Sequence, residues 1–167
     1  MNGPPPPTPH AESRVHLIDD TDKTILEELM RDGRATWAAL GELTGLSPAA
    51  LAQRVRKLER DGVITSYAAI LDPDAVGAGL LAFVSVRFYD QAKRDRFLVL
   101  IKTMPWVQEC HHVTGEMEYL LKVRCSGTRA LERLITDELM GKCKVAETRT
   151  SIVLATAKET TALAVTK

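Results

Sequence analysis

The sequence has few cysteines of the kind that cross-link secreted proteins, and it has no long apolar run of the kind that anchors proteins in membranes. It contains three cysteines, Cys110, Cys125 and Cys143, and none of them forms a C-x-x-C pair. An odd number of cysteines without this spacing argues against a disulfide framework and against a structural zinc site. No apolar run reaches the roughly 18 residues of a membrane span, and the N-terminus lacks the pattern of a secretory signal. We therefore expect a cytoplasmic protein without a membrane partner or a bound metal.

Net charge is lacking as well, because 22 Lys and Arg balance 22 Asp and Glu. Neutrality does not exclude nucleic acid, since binding depends on a local basic patch and not on the total. Catalytic signatures are also lacking: no nucleophile and base pair is recognisable, and the four histidines form no triad pattern. We predict that the protein is not an enzyme and carries no cofactor.

Four segments follow one another along the chain. Residues 1–17 are proline-rich, which predicts a disordered, extended arm. Residues 18–63 have helical periodicity, and residues 64–79 have the pattern of a hinge strand and linker. Residues 80–167 alternate between strand and helix patterns. The chain therefore has room for two small domains after the arm.

Three helix patterns fill the first folded segment. Candidate caps lie at the start of each of them, with the cluster Asp19 to Asp22 at the first, Thr36 before the second and Ser47 before the third. Gly45 ends the second helix and leads into a tight turn. Two helices joined in this way are typical of a helix-turn-helix, so we predict a winged-type helix-turn-helix domain over residues 18–63.

The third helix combines an apolar stripe with a basic outer face. Leu51, Val55 and Leu58 recur at helical spacing and should face the core. Gln53 points outward, where it can pair with adenine, and Arg and Lys side chains can contact phosphates. A solvated basic face is the alternative, but the position of this helix after the turn favours double-stranded DNA. The candidate DNA-binding residues are Ser47, Pro48, Ala49, Gln53, Arg54, Arg56 and Lys57.

The remaining patterns have the order β-α-β-β-α-β. This order predicts an α+β, ferredoxin-like domain with one antiparallel sheet and both helices on a single face. The sequence places a hairpin turn at residues 114–116, around a glycine. We expect the other face of the sheet to be apolar and to be covered by a second subunit, as a homodimer. The residues expected there are Leu81, Phe83, Leu120 and Ile152.

Three stretches together resemble the Lrp/AsnC family of bacterial and archaeal transcription factors, named after the leucine-responsive regulatory protein and the asparagine regulator. They are "DDTDKTILEELMRDGRATWAALGELTGLSPAALAQRVRKLERDGVITSYAAILDP", "VQECHHVTGEMEYLLKVRC" and "TRTSIVLATAKETTAL". The resemblance covers nearly everything after the proline arm. It implies a DNA-binding domain, a hinge strand, and an effector domain that dimerises through its sheets. Family members commonly assemble four dimers into an octamer and bind a small molecule, usually an amino acid, between dimers.

Within this resemblance, Arg54 matches the arginine of the family's recognition helix and Ser47 the serine at its start. Ala49 stands where many members have Ser or Thr. In the effector domain, "GEMEY" matches the family's "G-x-x-D-Y", with Glu118 in place of the Asp that would pair with the ligand's ammonium. The implied effector-binding residues are His112, Gly115, Glu118, Tyr119, Thr148 and Thr150.

Three other interpretations remain open. An architectural protein could bind DNA without any effector. Siroheme decarboxylases resemble this family in architecture, so a related enzyme is a weaker alternative. Cys110 and His112 share a strand face and could begin a metal site, although transition metals in proteins take three or four ligands. The main prediction is a homo-oligomeric transcriptional regulator that responds to an amino acid or a related metabolite.

Overall fold

The computed structural model of the protein describes residues 18–165, so the predicted proline-rich arm lies outside the described residues. The chain divides into two compact units. Within the described range, one unit comprises residues 18–69 and 159–165, and the other comprises residues 70–158. No helix in the described range is both long enough and apolar enough to cross a bilayer.

The first unit is built from three helices around a small apolar core. Ile25, Leu40 and Leu51 are fully buried at its centre, and Val55 and Leu58 complete the predicted stripe of the third helix. Burial of these side chains supplies the main stabilising term, at about 1.5–3 kcal/mol for each. The helices are α1 (Asp20–Arg31), α2 (Trp37–Thr44) and α3 (Pro48–Arg60).

All three predicted N-caps are confirmed. Thr36 accepts a hydrogen bond from the Ala39 backbone, and Ser47 accepts one from the Ala50 backbone. Asp19 and Asp22 form a reciprocal capping box at the start of α1. Each cap satisfies a backbone N–H that the first turn of a helix leaves without a partner.

The predicted wing and hinge strand are not formed. No β-strand is present between residues 18 and 79. Val63 and Ile64 instead pack on the helical core, and both of their backbone amides donate to the Leu58 carbonyl. Residues 65–72 are exposed and make no strand ladder, because a β-strand needs a partner strand and this chain offers none there.

The second unit has the predicted ferredoxin-like order. Its four strands form one antiparallel sheet in the order β2-β3-β1-β4. The hairpin loop falls at residues 113–118, with Gly115 at φ +118°, so the predicted glycine turn is confirmed. The strands are β1 (Leu80–Arg87), β2 (Val107–His112), β3 (Tyr119–Cys125) and β4 (Glu147–Ile152), and the α-helices are α4 (Gln91–Leu100) and α5 (Thr128–Arg133).

The last helix is irregular at its C-terminal end. The sequence pattern predicts one continuous helix, but α5 continues as a π-helix over Leu134–Lys142. In its wider turns the Cys143 amide donates to the Glu138 carbonyl, five residues earlier. Leu134 and Leu139 still reach the core, where both are almost fully buried.

One face of the sheet packs on the helices and the other is open. This second face carries Leu81 and Phe83 on β1 and Leu120 on β3, as predicted. Phe83 is exposed there and Leu120 is half-buried, whereas Leu81 is buried. Ile152 was predicted there wrongly, because β4 pairs Ile152 with Ala82, a fully buried core residue on the helix side. Directly paired residues share a face, so the register of β4 carries Ile152 to the edge of the helix-covered side.

The C-terminal segment belongs to the helical unit and not to the sheet unit. Val165 packs against the core of the three helices, and the Leu163 amide lies 3.4 Å from the Met30 sulfur on α1. In the described range, residues 159–165 cluster with residues 18–69, and the predicted effector-domain range of 80–167 stays a prediction.

Candidate DNA interface and ligand cavity

Helix α3 presents an exposed face of the kind that enters a DNA groove. Ser47, Pro48 and Ala49 are exposed at its N-terminus, and Gln53 is exposed one turn later. A small N-terminal turn lets the helix approach base edges closely, with Gln53 as the side chain that can pair with a base.

Basic side chains continue along the same helix. Arg56, Lys57 and Arg60 are exposed. Within residues 18–165 no ion pair holds any of the three. Their charges are available to a polyanion, which is the electrostatic requirement for contact with phosphates.

Arg54 is placed differently from the other predicted DNA-binding residues. Its Nη1 atom lies 2.7 Å from Asp19 Oδ2 and 2.8 Å from Asp22 Oδ1, both at the start of α1. Asp22 is buried, with 5% of its surface exposed. The guanidinium therefore compensates a buried carboxylate and ties α3 to α1, so its donors on this side are already used.

The pKa values follow this arrangement. The pKa of Asp19 is lowered, first by the Asp22 amide and next by the Arg54 guanidinium. The pKa of Arg54 is raised by its hydrogen bonds to the two carboxylates. The ion pair thus forms part of the capping box of α1, and it orients α3 from within the domain.

Two glycines shape the turn between α2 and α3. Gly45 adopts φ +71° at the end of α2, a conformation that favours glycine. A Cβ atom on Gly41 would lie only 3.1 Å from the Leu46 carbonyl oxygen and 3.7 Å from Leu51 Cδ1. The close approach of α2 to the turn therefore depends on the missing side chain at Gly41.

The second unit contains a cavity of about 200 Å³ at the corner between β1 and α4. Glu118 is the only predicted effector residue among those that line it. Its Oε1 atom accepts a hydrogen bond from the Phe88 amide at 3.0 Å, and its Oε2 atom lies 4.0 Å from Arg94 Nη1. The lining residues are Phe88, Tyr89, Asp90, Gln91, Arg94 and Glu118.

Tyr119 and His112 lie beside this cavity, in a packed cluster. Tyr119 is 5% exposed, and its ring stacks on His112 at 4.9 Å and contacts Phe97 at 5.4 Å. Burial raises the pKa of Tyr119, and the nearby charge of Arg94 opposes the rise. The Tyr119 ring therefore serves mainly as a packing element, with His112 exposed on its outer side.

Thr148 and Thr150 lie on β4, across β1 from Glu118. Thr148 pairs with Val86 on one side of β1, and the Val86 carbonyl accepts the Glu118 amide on the other. Neither threonine lines the cavity, and neither does Gly115. The chain thus brings only part of the predicted effector set together in one cavity.

A charged network joins the cavity to the hairpin turn and to β4. Glu116 in the turn lies 2.8 Å from Arg149 Nη2 on β4 and 3.7 Å from Arg87 Nη1 on β1. Arg87 also pairs with Glu147 at 2.5 Å and donates to the Tyr89 hydroxyl at 2.8 Å. Because Tyr89 lines the cavity, its wall is held in place from β1 and β4.

The sequence patterns did not identify Arg94 or the other lining residues contributed by the β1–α4 connection. The only local signal is that "YDQAKR" crowds polar side chains where a strand ends and a helix begins. Asp90 in this stretch caps α4 by accepting from the Ala92 amide at 2.9 Å. A cap of this kind predicts the start of a helix and does not predict a ligand site.

The half-buried Cys110 thiol does not resemble a metal ligand. Burial raises the pKa of Cys110 to about 11, which disfavours the thiolate that metals bind. Within residues 18–165 no three His, Cys, Asp or Glu side chains are grouped as metal ligands would be.

Comparison with known proteins assigns both units. A model of the AsnC-type helix-turn-helix domain matches residues 18–59, and a model of the Lrp/AsnC ligand binding domain matches residues 81–163. The leucine-responsive regulatory proteins of Salmonella typhimurium and Escherichia coli are both 36% identical to this chain over 150 residues. The match covers 89% of this chain and 92% of each relative.

Solved structures of family members are similar to this chain over most of its length. A transcriptional regulator from Neisseria meningitidis in complex with L-Met superposes with a TM-score of 0.84 at 35% identity, covering 87% of this chain and 96% of that one. A feast or famine regulatory protein from M. tuberculosis complexed with L-methionine superposes with a TM-score of 0.79 at 38% identity. The match covers 85% of this chain and 95% of that one.

Proposed function

The chain belongs to the Lrp/AsnC family of DNA-binding transcriptional regulators, and from this premise we propose that an amino acid bound in the sheet unit controls how it binds DNA. The helix-turn-helix of the first unit is the DNA-binding part. The main support for this is the exposed face of α3, where Gln53 lies beside basic residues without ion-pair partners in the described part of the chain. The opposite face of the helix is the buried apolar stripe.

The amino-acid response is supported by the cavity at Glu118. Its volume of about 200 Å³ is below the roughly 300–1,000 Å³ of sites for drug-sized ligands, which favours a small metabolite over a tetrapyrrole. Two relatives of known structure were solved with L-methionine. A ligand in this cavity can change DNA binding only if it binds one arrangement of the protein more tightly than another.

We further propose that the DNA-binding form is a homo-oligomer built on dimers, such as an octamer. The open face of the sheet, with Phe83 exposed and Leu120 half-buried on it, supports pairing of two copies. Two copies would present two α3 helices to half-sites about one helical turn, or a multiple of it, apart.

The DNA part is tested by selecting binding sites from a random duplex library and measuring affinity at several salt concentrations. Gln53→Ala should relax the preference at one base position. Lys57→Ala should weaken binding to all DNA sequences alike, and it should lower the salt slope, the slope of log affinity against log salt concentration, by about 1. Unchanged affinity and preference in both variants would remove α3 as the recognition helix.

The ligand part is tested by a thermal-unfolding screen against the twenty standard L-amino acids, with Glu118→Ala alongside. A ligand at about a hundred times its dissociation constant adds roughly 2.7 kcal/mol to the stability of the native state. A stabilising amino acid whose effect disappears in Glu118→Ala supports the proposal. Absence of any stabilisation, with intact DNA binding, would favour an architectural protein without an effector.

A further inference from the structure

The C-terminal tail, residues 159–165, packs on the helical unit although the sheet unit precedes it in the sequence. The half-buried Val165 side chain packs against the apolar core of the three helices. Two residues earlier, the Leu163 amide donates to the Met30 sulfur on α1 at 3.4 Å. The tail is therefore anchored to the helical unit by an apolar contact and by a weak hydrogen bond.

The stretch between the sheet and the tail is short and exposed. Strand β4 ends at Ile152, and the next amide, that of Val153, still donates to the Leu81 carbonyl at 2.9 Å. Residues 154–158 are exposed, and Leu154 has 98% of its surface open to solvent. A stretch of this length spans at most about 18 Å even when it is fully extended. The start of the tail therefore stays close to the end of β4.

The helical unit is thus connected to the sheet unit twice. The first connection leaves α3 and runs through residues 65–79, and its Tyr67 hydroxyl donates to Glu59 on α3 at 2.9 Å. The second connection is the stretch 154–158 with the tail, which is anchored on α1. A unit held by one flexible linker can rotate about it, whereas a second short connection at a different point removes much of that freedom. The tail therefore has the geometry of a strap.

We propose that the C-terminal tail is a strap that limits rotation of the helical unit and so makes the oligomer selective for the spacing of its two DNA half-sites. This role rests on the DNA binding by paired α3 helices proposed above. With the strap in place, the paired helices fit half-sites at one separation, and another separation requires the DNA to bend or twist. With the strap released, the helical units turn to meet half-sites at other separations. Contact with a single half-site does not depend on the strap.

The experiment measures the DNA affinity of the full chain by fluorescence anisotropy. The duplexes are the operator selected from the random library, versions of it with up to about five base pairs, or half a helical turn, inserted between the half-sites, and one isolated half-site. Val165→Asp places a charge against the apolar core and releases the tail. A second variant keeps every contact of the tail and lengthens the connection by about eight Gly and Ser residues after Thr156.

Leu154→Asp is the matched control, because it adds the same charge in the exposed stretch and removes no anchor. In the wild type and in this control, the insertions should weaken operator binding by at least about ten-fold, the cost of deforming the DNA. In Val165→Asp and in the lengthened variant, the same insertions should weaken binding by less than about three-fold. Every protein should bind the isolated half-site with the same affinity, and thermal melts show whether each is folded.

Equal loss of affinity on insertion in the lengthened variant and in the wild type would overturn the strap, while the proposed DNA binding stands. A wild type that binds all spacings equally well would overturn it too. If Val165→Asp does not fold, the lengthened variant decides, because its anchors at Leu163 and Val165 are unchanged. If the library selection yields no bound duplex for the wild type, the proposed DNA binding fails together with the strap.

Discussion

At the scale of single residues, Arg54 illustrates how one guanidinium on the proposed recognition helix can hold the helical unit together. Asp22, which it pairs with, is buried, so loss of the arginine leaves a buried carboxylate without its partner. Arg54→Ala should therefore lower the free energy of unfolding by about 1–3 kcal/mol. We expect weaker DNA binding in this variant without the drop in salt slope that Lys57→Ala causes.

The measurement combines thermal melts with DNA titrations over a range of salt concentrations. Asp22→Asn is the matched variant, since it perturbs the same ion pair from the other side and lies on α1. It should reproduce the effects of Arg54→Ala. If Arg54→Ala melts like the wild type and lowers the salt slope as Lys57→Ala does, Arg54 contacts a phosphate directly.

Asp19 gives the helical unit a dependence on pH. Its folded-state pKa is lowered below the ordinary value of 3.8, first by the Asp22 amide and next by Arg54. A lowered folded pKa stabilises the fold above the unfolded value and ceases to do so as pH falls through the folded value. Acidification should therefore weaken the helical unit as Asp19 becomes protonated.

This prediction is checked by thermal melts followed by circular dichroism between about pH 6 and about pH 2. Asp19→Asn should melt lower than the wild type at about pH 6, and the difference should shrink toward about pH 2. Glu42→Gln is the control, since Glu42 is exposed on α2, and it should follow the wild type throughout. A constant difference between Asp19→Asn and the wild type would contradict the assignment.

At the scale of elements, the turn between α2 and α3 depends on close packing at Gly41. Valine there places carbon atoms against the Leu46 carbonyl oxygen, which already lies 3.1 Å from the position of a Cβ. Because that oxygen belongs to the backbone of a tight turn, the helices must separate. Gly41→Val should lower the free energy of unfolding by about 1–3 kcal/mol and weaken DNA binding.

Chemical denaturation of the full chain tests the Gly41 prediction. Ala38→Val is the control, because it introduces the same side chain at an exposed position of α2, and its effect should stay near about 0.5 kcal/mol. Equal effects of the two variants would mean that helix propensity, and not contact with the turn, accounts for the result.

At the scale of the whole molecule, the proposed homo-oligomer makes a prediction for the open face of the sheet. Phe83 is 37% exposed on this face, paired with Lys122 on β3 and Ser151 on β4, and Leu120 lies on the same face two residues along β3. Phe83→Arg should weaken self-association by at least about 2 kcal/mol, or roughly thirty-fold in the dissociation constant. Sedimentation velocity over a range of concentrations measures this change.

The control for this face is Val99→Arg. Val99 is 61% exposed on α4, in the helix layer, so this variant adds the same charge away from the sheet face. The assembly formed by Val99→Arg should have the same mass as that of the wild type. If Phe83→Arg also keeps that mass, the copies pair through another surface.

Residue patterns over short distances predicted most of the fold correctly. Caps at Asp19, Thr36 and Ser47 set the starts of the three helices, and the apolar spacing of α3 gave its buried stripe. These features depend on atoms a few residues apart. For the same reason the hairpin at Gly115 was found, since a turn is a local structure.

Long-range pairing was harder to predict, and the errors follow from it. The face of Ile152 depends on the register between β4 and β1, where a shift of one residue reverses every side chain. The hinge strand depended on a partner strand that a single chain does not provide. The cavity was not predicted, because α4 and Glu118, the residue before β3, meet there only after the sheet has formed.

The sequence by itself determined the starts of the first three helices, the buried stripe of α3, the order of strands and the family to which the chain belongs. Tertiary structure alone decided which charges find partners. Arg54 pairs with carboxylates 35 and 32 residues earlier, and Arg94 lies 4.0 Å from Glu118 beside a cavity. The physical reason is that helix caps and apolar periodicity act within a few residues, whereas ion pairs and cavities depend on distances that exist only once the elements have packed.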